Sequence, residues 1–153
     1  MSPAWQMQAT VDINVIRGWW ETRPEANIML ATGRVFDVLD VPVVAGTDAL
    51  ARMSMAGVKS GPVAALAGER MLFFVLTRGS PADEDEWWSC GLDAEPENVT
   101  PGLRWHTRDS YVLAPPSRLV SGTGCRWMRS PEDHPLPDAL RLLEHLVDSC
   151  EAV

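Results

Sequence analysis

Apolar residues recur along this chain at two spacings. Between Thr10 and Arg23 they fall at Val11, Val15 and Trp19, with Ile16 and Trp20 beside them. That three-and-four spacing marks one face of a helix over residues 10–23. Thr10 offers a capping hydroxyl, and Arg23-Pro24 closes the segment because a residue before proline avoids the helical region. Residues 27–32 and 35–41 predict two strands around the Thr32-Gly33-Arg34 turn. A second helix is expected to open at Thr47-Asp48, with Leu50 and Met53 inward and Gly57 as its stop. Residues 62–67 and 70–76 predict a hairpin about Gly68-Glu69. Its second arm, Met71-Leu-Phe-Phe-Val-Leu76, is apolar throughout and predicts a central strand. Short strands are expected at 103–106, 110–114 and 125–128. A last helix over 136–151 starts at Pro137-Asp138 and presents Leu140, Leu143, Leu146, Val147 and Cys150 on one face. The helix over 10–23 should lay Trp19 on Leu39 and on Phe73 or Phe74 of the following strands.

Strands and helices alternate without a regular βαβ period, so the pattern predicts an α+β fold with a mixed or antiparallel sheet and flanking helices. With 153 residues and 46% hydrophobic content, the chain can bury one core, which makes residues 1–153 a single domain with an arm at 1–8. No apolar run approaches a membrane span, and the opening residues lack the regions of a secretory signal. Cys90, Cys125 and Cys150 are odd in number and widely spaced, with no CxxC or Cys/His ligand pairing. Neither zinc nor a disulfide framework is expected, and the setting is expected to be reduced and cytoplasmic. A formal charge of −8 repels phosphates, so nucleic-acid binding should be weak or absent. Lys59 is the only lysine; arginine suits phosphate and carboxylate forks, although codon usage explains the bias more simply.

Isolated candidates for chemistry are sparse. Residues 79–101 read as a Pro-, Gly- and acid-rich loop excursion. Within it Asp83-Glu-Asp-Glu86 could hold a cation or a basic partner, against the plainer reading of a solvated loop. Trp87 and Trp88 are the candidate contact residues for a protein partner, set against the reading that one ring caps the core. His106, His134 and His145 are scattered, and no Ser/His/Asp or Cys/His set is visible in the sequence. Ser121-Gly-Thr-Gly124 lacks the lysine of a phosphate loop and reads as a hairpin turn.

Several blocks occur in a telling order: Ala9-Thr-Val-Asp12, Ile16-Arg-Gly-Trp-Trp20, Pro24-Glu-Ala-Asn-Ile28, Ala31-Thr-Gly33, a strand ending near Asp40, and 104–117 closing on Ala114-Pro-Pro-Ser117. Together they resemble the bifunctional DNA primase/polymerase domain of the archaeo-eukaryotic primase superfamily. Residues 1–8 stand where that family carries a further segment with early strands and a lysine-containing loop. The resemblance implies a primase/polymerase-like core and a site where carboxylates hold Mg²⁺ or Mn²⁺ for nucleotidyl transfer. It places Asp40 at the first metal position, Pro42 at the second, Met71 at a histidine that contacts nucleotide phosphates, and Arg104 at the third acid. Proline and methionine cannot perform those roles, and a guanidinium repels a metal. Asp37 lies at an odd separation from Asp40 and should face the other way; Asp48 could approach from the next helix. Arg70 and Arg104 are the candidate anion-binding residues, and Arg104 is expected to pair with Asp40.

These departures imply a domain that has lost catalysis and needs no cofactor, with Asp40 as its only weak metal candidate. It would act as a regulatory or protein-interaction module in DNA replication or development, with a protein partner or a second copy of itself. The alternatives are an active nucleotidyltransferase with a rebuilt Mg²⁺ or Mn²⁺ site, and a sensor that binds a nucleotide or small ligand in the old cleft.

Overall fold

The computed structural model describes residues 5–77 and 102–153. The helices are α1 (Trp5–Gln8), α2 (Ile13–Thr22), α3 (Val43–Met55) and α4 (Ala139–Glu151). The strands are β1 (Ile28–Ala31), β2 (Phe36–Pro42), β3 (Val63–Leu66), β4 (Arg70–Leu76), β5 (Arg104–His106), β6 (Tyr111–Ala114) and β7 (Cys125–Arg129). Five strands form one antiparallel sheet in the order β5-β2-β4-β3-β7, and β1 pairs with β6 in a second, two-stranded sheet. The fold is α+β.

Alternation along the strands divides the core into two layers. Leu39 and Val41 of β2 and Met71, Phe73 and Val75 of β4 face α3 and α4, where they pack on Ala45, Ala49, Met53, Leu142, Leu143 and Leu146. Val38, Leu72 and Phe74 face the other way, against Val112 and Leu30 of the two-stranded sheet. Because the inner strands are covered on both faces, β3 and most of β4 read in sequence as apolar runs, whereas β2 interrupts its run with Asp37 and Asp40. β4 is the middle strand, as its composition predicts.

The predicted elements are present, with shifts that have local causes. The two strands expected on either side of the Thr32-Gly33-Arg34 turn do not pair with each other. Both strands form, but β1 runs beside β6 and β2 lies between β4 and β5. Gly33 between them has φ 83, and a Cβ there would collide with the Arg108 backbone, so the chain changes sheets at this crossing. α3 begins at Val43, four residues before the expected Thr47-Asp48 start. It therefore includes Gly46, whose missing side chain admits Met71: a Cβ would lie 2.7 Å from the Met71 sulfur. Asp12, rather than Thr10, caps α2 by accepting from the Asn14 amide, and Thr10 accepts from the Asp12 amide instead. α4 is capped by Asp138, and its buried face is Ala139, Leu142, Leu143, Leu146 and Ser149, with Leu140, Val147 and Cys150 at its margins.

Trp19 departs from expectation. It is 44% exposed, whereas Leu39 and Phe73 are fully buried. The helical face of the sheet is already covered by α3 and α4 and the other face by β1 and β6, so no sheet surface is left for α2. α2 buries none of its residues. Among the described residues no helix is long and apolar enough to cross a membrane. Asp83, Trp87 and Trp88 lie outside the described residues.

Candidate functional site

β2 delivers Asp40 to one end of the sheet, and register fixes its surroundings. Asp40 stands opposite Leu72 of β4 and Arg104 of β5; Pro42 stands opposite Arg70, and Val38 opposite His106. Residues directly opposite one another in an antiparallel pair share a face. Asp40, Pro42, Arg70, Arg104 and His106 are therefore all on the face that bears the two-stranded sheet. Met71 stands opposite Val41 and is buried against α3, so it lies on the other side of the sheet from Asp40. The sequence placement of Met71 in the cleft is corrected accordingly, and on that strand the residue on Asp40's face is its neighbour Arg70.

Asp40 is almost fully buried and, among the described residues, has two side-chain partners. The Arg70 Nε donates to Asp40 Oδ1 at 2.6 Å. His106 Nε2 lies 3.2 Å from Asp40 Oδ2, and His106 Nδ1 lies 2.9 Å from the Ser110 hydroxyl. With its proton on Nε2, the imidazole donates to the carboxylate and accepts the Ser110 hydroxyl at Nδ1. Arg70 is fastened further. Its Nη2 donates to the Asp40 carbonyl at 3.0 Å and to the Gly102 carbonyl at 2.8 Å. One guanidinium thus joins β4, β2 and the chain just ahead of β5.

The expected Arg104–Asp40 ion pair is absent. Arg104 has the right register and the right face, but its side chain is exposed and Arg70 holds the carboxylate. Arg70 reaches Asp40 diagonally, because Pro42 presents no polar group across from it and leaves the guanidinium free to turn toward Asp40.

The other acids lie elsewhere. Asp37 is buried on the helical face, where it accepts from the Trp105 indole at 3.2 Å through Oδ2 and has no partner at Oδ1. Desolvation by burial raises its pKa, against the lowering effect of hydrogen bonds from Thr77 and Trp105. Asp48 pairs with Arg52 at 2.6 Å and accepts from Ser149 of α4 at 2.8 Å, so it serves the α3–α4 contact rather than the Asp40 site. Its pKa is lowered, first by the Arg52 hydrogen bond and then by Ser149.

A divalent ion of the kind the primase resemblance implies does not fit these side chains as they stand. Both Asp40 oxygens are engaged, Pro42 offers no ligand, and Arg104 brings positive charge to the same face. Among the described residues no three His, Cys, Asp or Glu side chains converge as a metal site would require.

His106 is the participant that sequence reasoning missed. The usable signal was its position two residues after Arg104 on one strand, which puts both on the same face. The Ala114-Pro-Pro-Ser117 block has a structural duty instead. The Ser117 hydroxyl accepts from the Ile28 amide at 2.8 Å, and Asn27 exchanges hydrogen bonds with the Arg118 backbone, which ties β1 to the strand it pairs with.

No curated protein matches the sequence. The family model described as bifunctional DNA primase/polymerase, N-terminal, matches residues 1–139, a span that includes every strand of both sheets and reaches the start of α4. The match spans the strands that bring Asp40, Arg70 and His106 together, and the α+β core agrees with it. The chain belongs to the bifunctional DNA primase/polymerase N-terminal domain family.

Proposed function

We propose that this domain is a non-catalytic member of its family that works as a regulatory or protein-interaction module. The observation that carries the reading is the Arg70–Asp40 pair. The acid that should begin a metal site is closed by a guanidinium at 2.6 Å. In a sheltered place such a charge-assisted contact competes directly with a divalent ion. Membership of a DNA primase/polymerase family supports reading that role within DNA replication, with a developmental role as the alternative. The reading requires no cofactor and assigns the protein to the cytoplasm.

The interaction half of the reading draws on α2. This helix has 10 residues and buries none of them. Helices shorter than about 12–15 residues are marginal in water without tertiary packing. Val11, just ahead of the helix, is 95% exposed and Ile13 61%, and Val15 and Trp19, one turn apart on another face, are also exposed. A Cβ placed on Gly18 would meet nothing within 4 Å, so another backbone could approach closely. A protein partner or a second copy of the chain would find its apolar contact here.

The test is a primer synthesis and extension assay on the purified chain with Mg²⁺ and with Mn²⁺. No product is expected. Metal-dependent incorporation that Asp40→Ala abolishes would establish the rebuilt-site alternative instead.

One observation favours a second reading. Arg104 is exposed beside the Asp40–Arg70 pair and forms no ion pair with a described residue. A sensor of nucleotides or other phosphate-bearing small molecules would use that guanidinium. Calorimetric titration with nucleoside triphosphates, repeated on Arg104→Ala, distinguishes the two.

A further inference from the structure

We infer that the end of the sheet far from Asp40 holds a second site, a cleft for a small molecule that carries a phosphomonoester on an apolar body. The inference goes beyond the non-catalytic reading and holds whether or not the Asp40 site is active.

α3 leaves Pro42 beside Asp40 and runs 13 residues toward the other end of the sheet, roughly 20 Å of helix. There the loop between α3 and β3, the end of β7 and the segment leading into α4 enclose two cavities, of about 380 and about 860 Å³. Gly57, Val58, Lys59 and Pro135 line both, so the two form one cleft with two lobes. Gly61 permits the close approach of its walls: it has φ 68, and a Cβ there would lie 2.3 Å from the Pro137 ring. The Pro137 carbonyl accepts from the Leu76 amide at 2.8 Å, which fastens that wall to the sheet.

The smaller lobe is cationic. Lys59, Arg129 and His134 line it, and among the described residues Asp133 is the only carboxylate that does. Arg129 is half-buried and held in place. Its Nη1 donates to the Ser60 hydroxyl at 2.9 Å; Ser60 is fully buried, and its hydroxyl donates to the Gly61 carbonyl at 3.1 Å. A guanidinium fixed at one nitrogen presents its other N–H groups to a ligand in a set orientation. His134 is set in the same way. Its Nδ1 donates to the Ser130 carbonyl at 2.9 Å, which leaves Nε2 available. Neither Arg129 nor Lys59 forms an ion pair with a described residue. Lys59 is also the only lysine in a chain of formal charge −8. Cations without acid partners, gathered on one cavity, are the reverse of that overall charge.

The ligand class follows from these groups. A guanidinium, an ammonium and an imidazole match the three free oxygens of a phosphomonoester, whereas a carboxylate offers two. Neutral Nε2 accepts from a P–OH, and protonated Nε2 donates to a P–O⁻. In the larger lobe Lys59 and Arg141 balance Asp138 and Glu144, and Val58, Leu136 and Pro137 supply apolar wall. The phosphate therefore belongs in the smaller lobe and the apolar body in the larger.

The probe is phenyl phosphate, followed by calorimetry and by amide chemical shifts on the full chain, beside inorganic phosphate, phenol and benzoate. Wild type should bind phenyl phosphate at least about tenfold more tightly than each of the other three. Lys59→Gln and Arg129→Gln should each weaken that binding about tenfold or more, since each removes a charged hydrogen bond. The shifts should centre on residues 57–61 and 129–135. Lys59 is exposed, so Lys59→Gln keeps the fold and decides the question if Arg129→Gln, which loses the Ser60 contact, does not fold. Wild type that shows no saturable binding of phenyl phosphate overturns the inference. So does binding that Lys59→Gln leaves unchanged, and so does benzoate bound as tightly as phenyl phosphate. Binding that survives Lys59→Gln and is lost in Arg104→Ala puts the anion at the Asp40 end and overturns the second site. The non-catalytic reading is judged separately, by nucleotide incorporation.

Discussion

Asp37 and Asp40 lie three residues apart on β2, on opposite faces, and burial treats them differently. Asp40 has a guanidinium and an imidazole; Asp37 has an indole and a hydroxyl but leaves one oxygen without a partner. Desolvation raises the Asp37 pKa above its ordinary 3.8, so the folded chain holds that proton more tightly than the unfolded chain does. Ionisation then costs stability, absent at low pH and growing as pH rises from about 4 through the raised folded value. Urea unfolding of wild type and Asp37→Asn across pH should show the variant gaining on wild type over that interval and a constant difference above it. A difference that does not change with pH would refute this account of Asp37. Cys125 presents the same physics in a thiol. It is buried against the two-stranded sheet, and desolvation pushes its pKa up to about 11. At pH 8 it should resist alkylation by iodoacetamide while the protein is folded and react readily once urea unfolds it. Rapid labelling of the native protein would show that the β1–β6 layer opens easily.

Among the elements, β4 and α2 mark the two extremes of packing. Phe73 is fully buried beneath α3 and α4, and Phe73→Ala should cost about 3–5 kcal/mol. Trp19 is 44% exposed, and Trp19→Ala should cost less than about 1 kcal/mol. Gly46→Ala should destabilise by about 1–3 kcal/mol, because its Cβ would press on Met71. Chemical denaturation of the three variants checks the ranking, and a Trp19→Ala cost equal to that of Phe73→Ala would mean that α2 packs on the core after all. The same contrast explains what the sequence could reveal. β4 was legible because a strand covered on both faces has to be apolar throughout. The hairpin about Gly68 was legible because its turn is local, with Ala67 and Gly68 both at positive φ. The pairing of β1 with β6 was not, since it depends on partners some eighty residues apart whose hydrogen bonds leave no mark on composition. α2 has the same amphipathic pattern as a core helix, and pattern alone does not say whether a surface is available to receive it. At the site, the acids and arginines were visible as residues, but which arginine meets Asp40 is a matter of strand parity and of a diagonal reach past Pro42.

For the molecule as a whole, the fold presents a five-stranded sheet whose two faces are both covered, a sheltered Asp40–Arg70 ion pair at one end of it, and a helix left outside the core. The net charge of −8 sets the long-range field. Binding to DNA should be about micromolar or weaker at physiological salt and should fall steeply as salt is added. Fluorescence anisotropy with single- and double-stranded oligonucleotides measures this, and tight salt-resistant binding would contradict it. The central claim is that this family member keeps the architecture of a polymerase site without its chemistry. The most direct measurement is incorporation of labelled nucleotide by the purified wild-type chain, on primed and unprimed templates, with Mg²⁺ and with Mn²⁺. The account predicts no product above that of an Asp40→Ala control. Metal-dependent product from wild type that disappears in Asp40→Ala would contradict it.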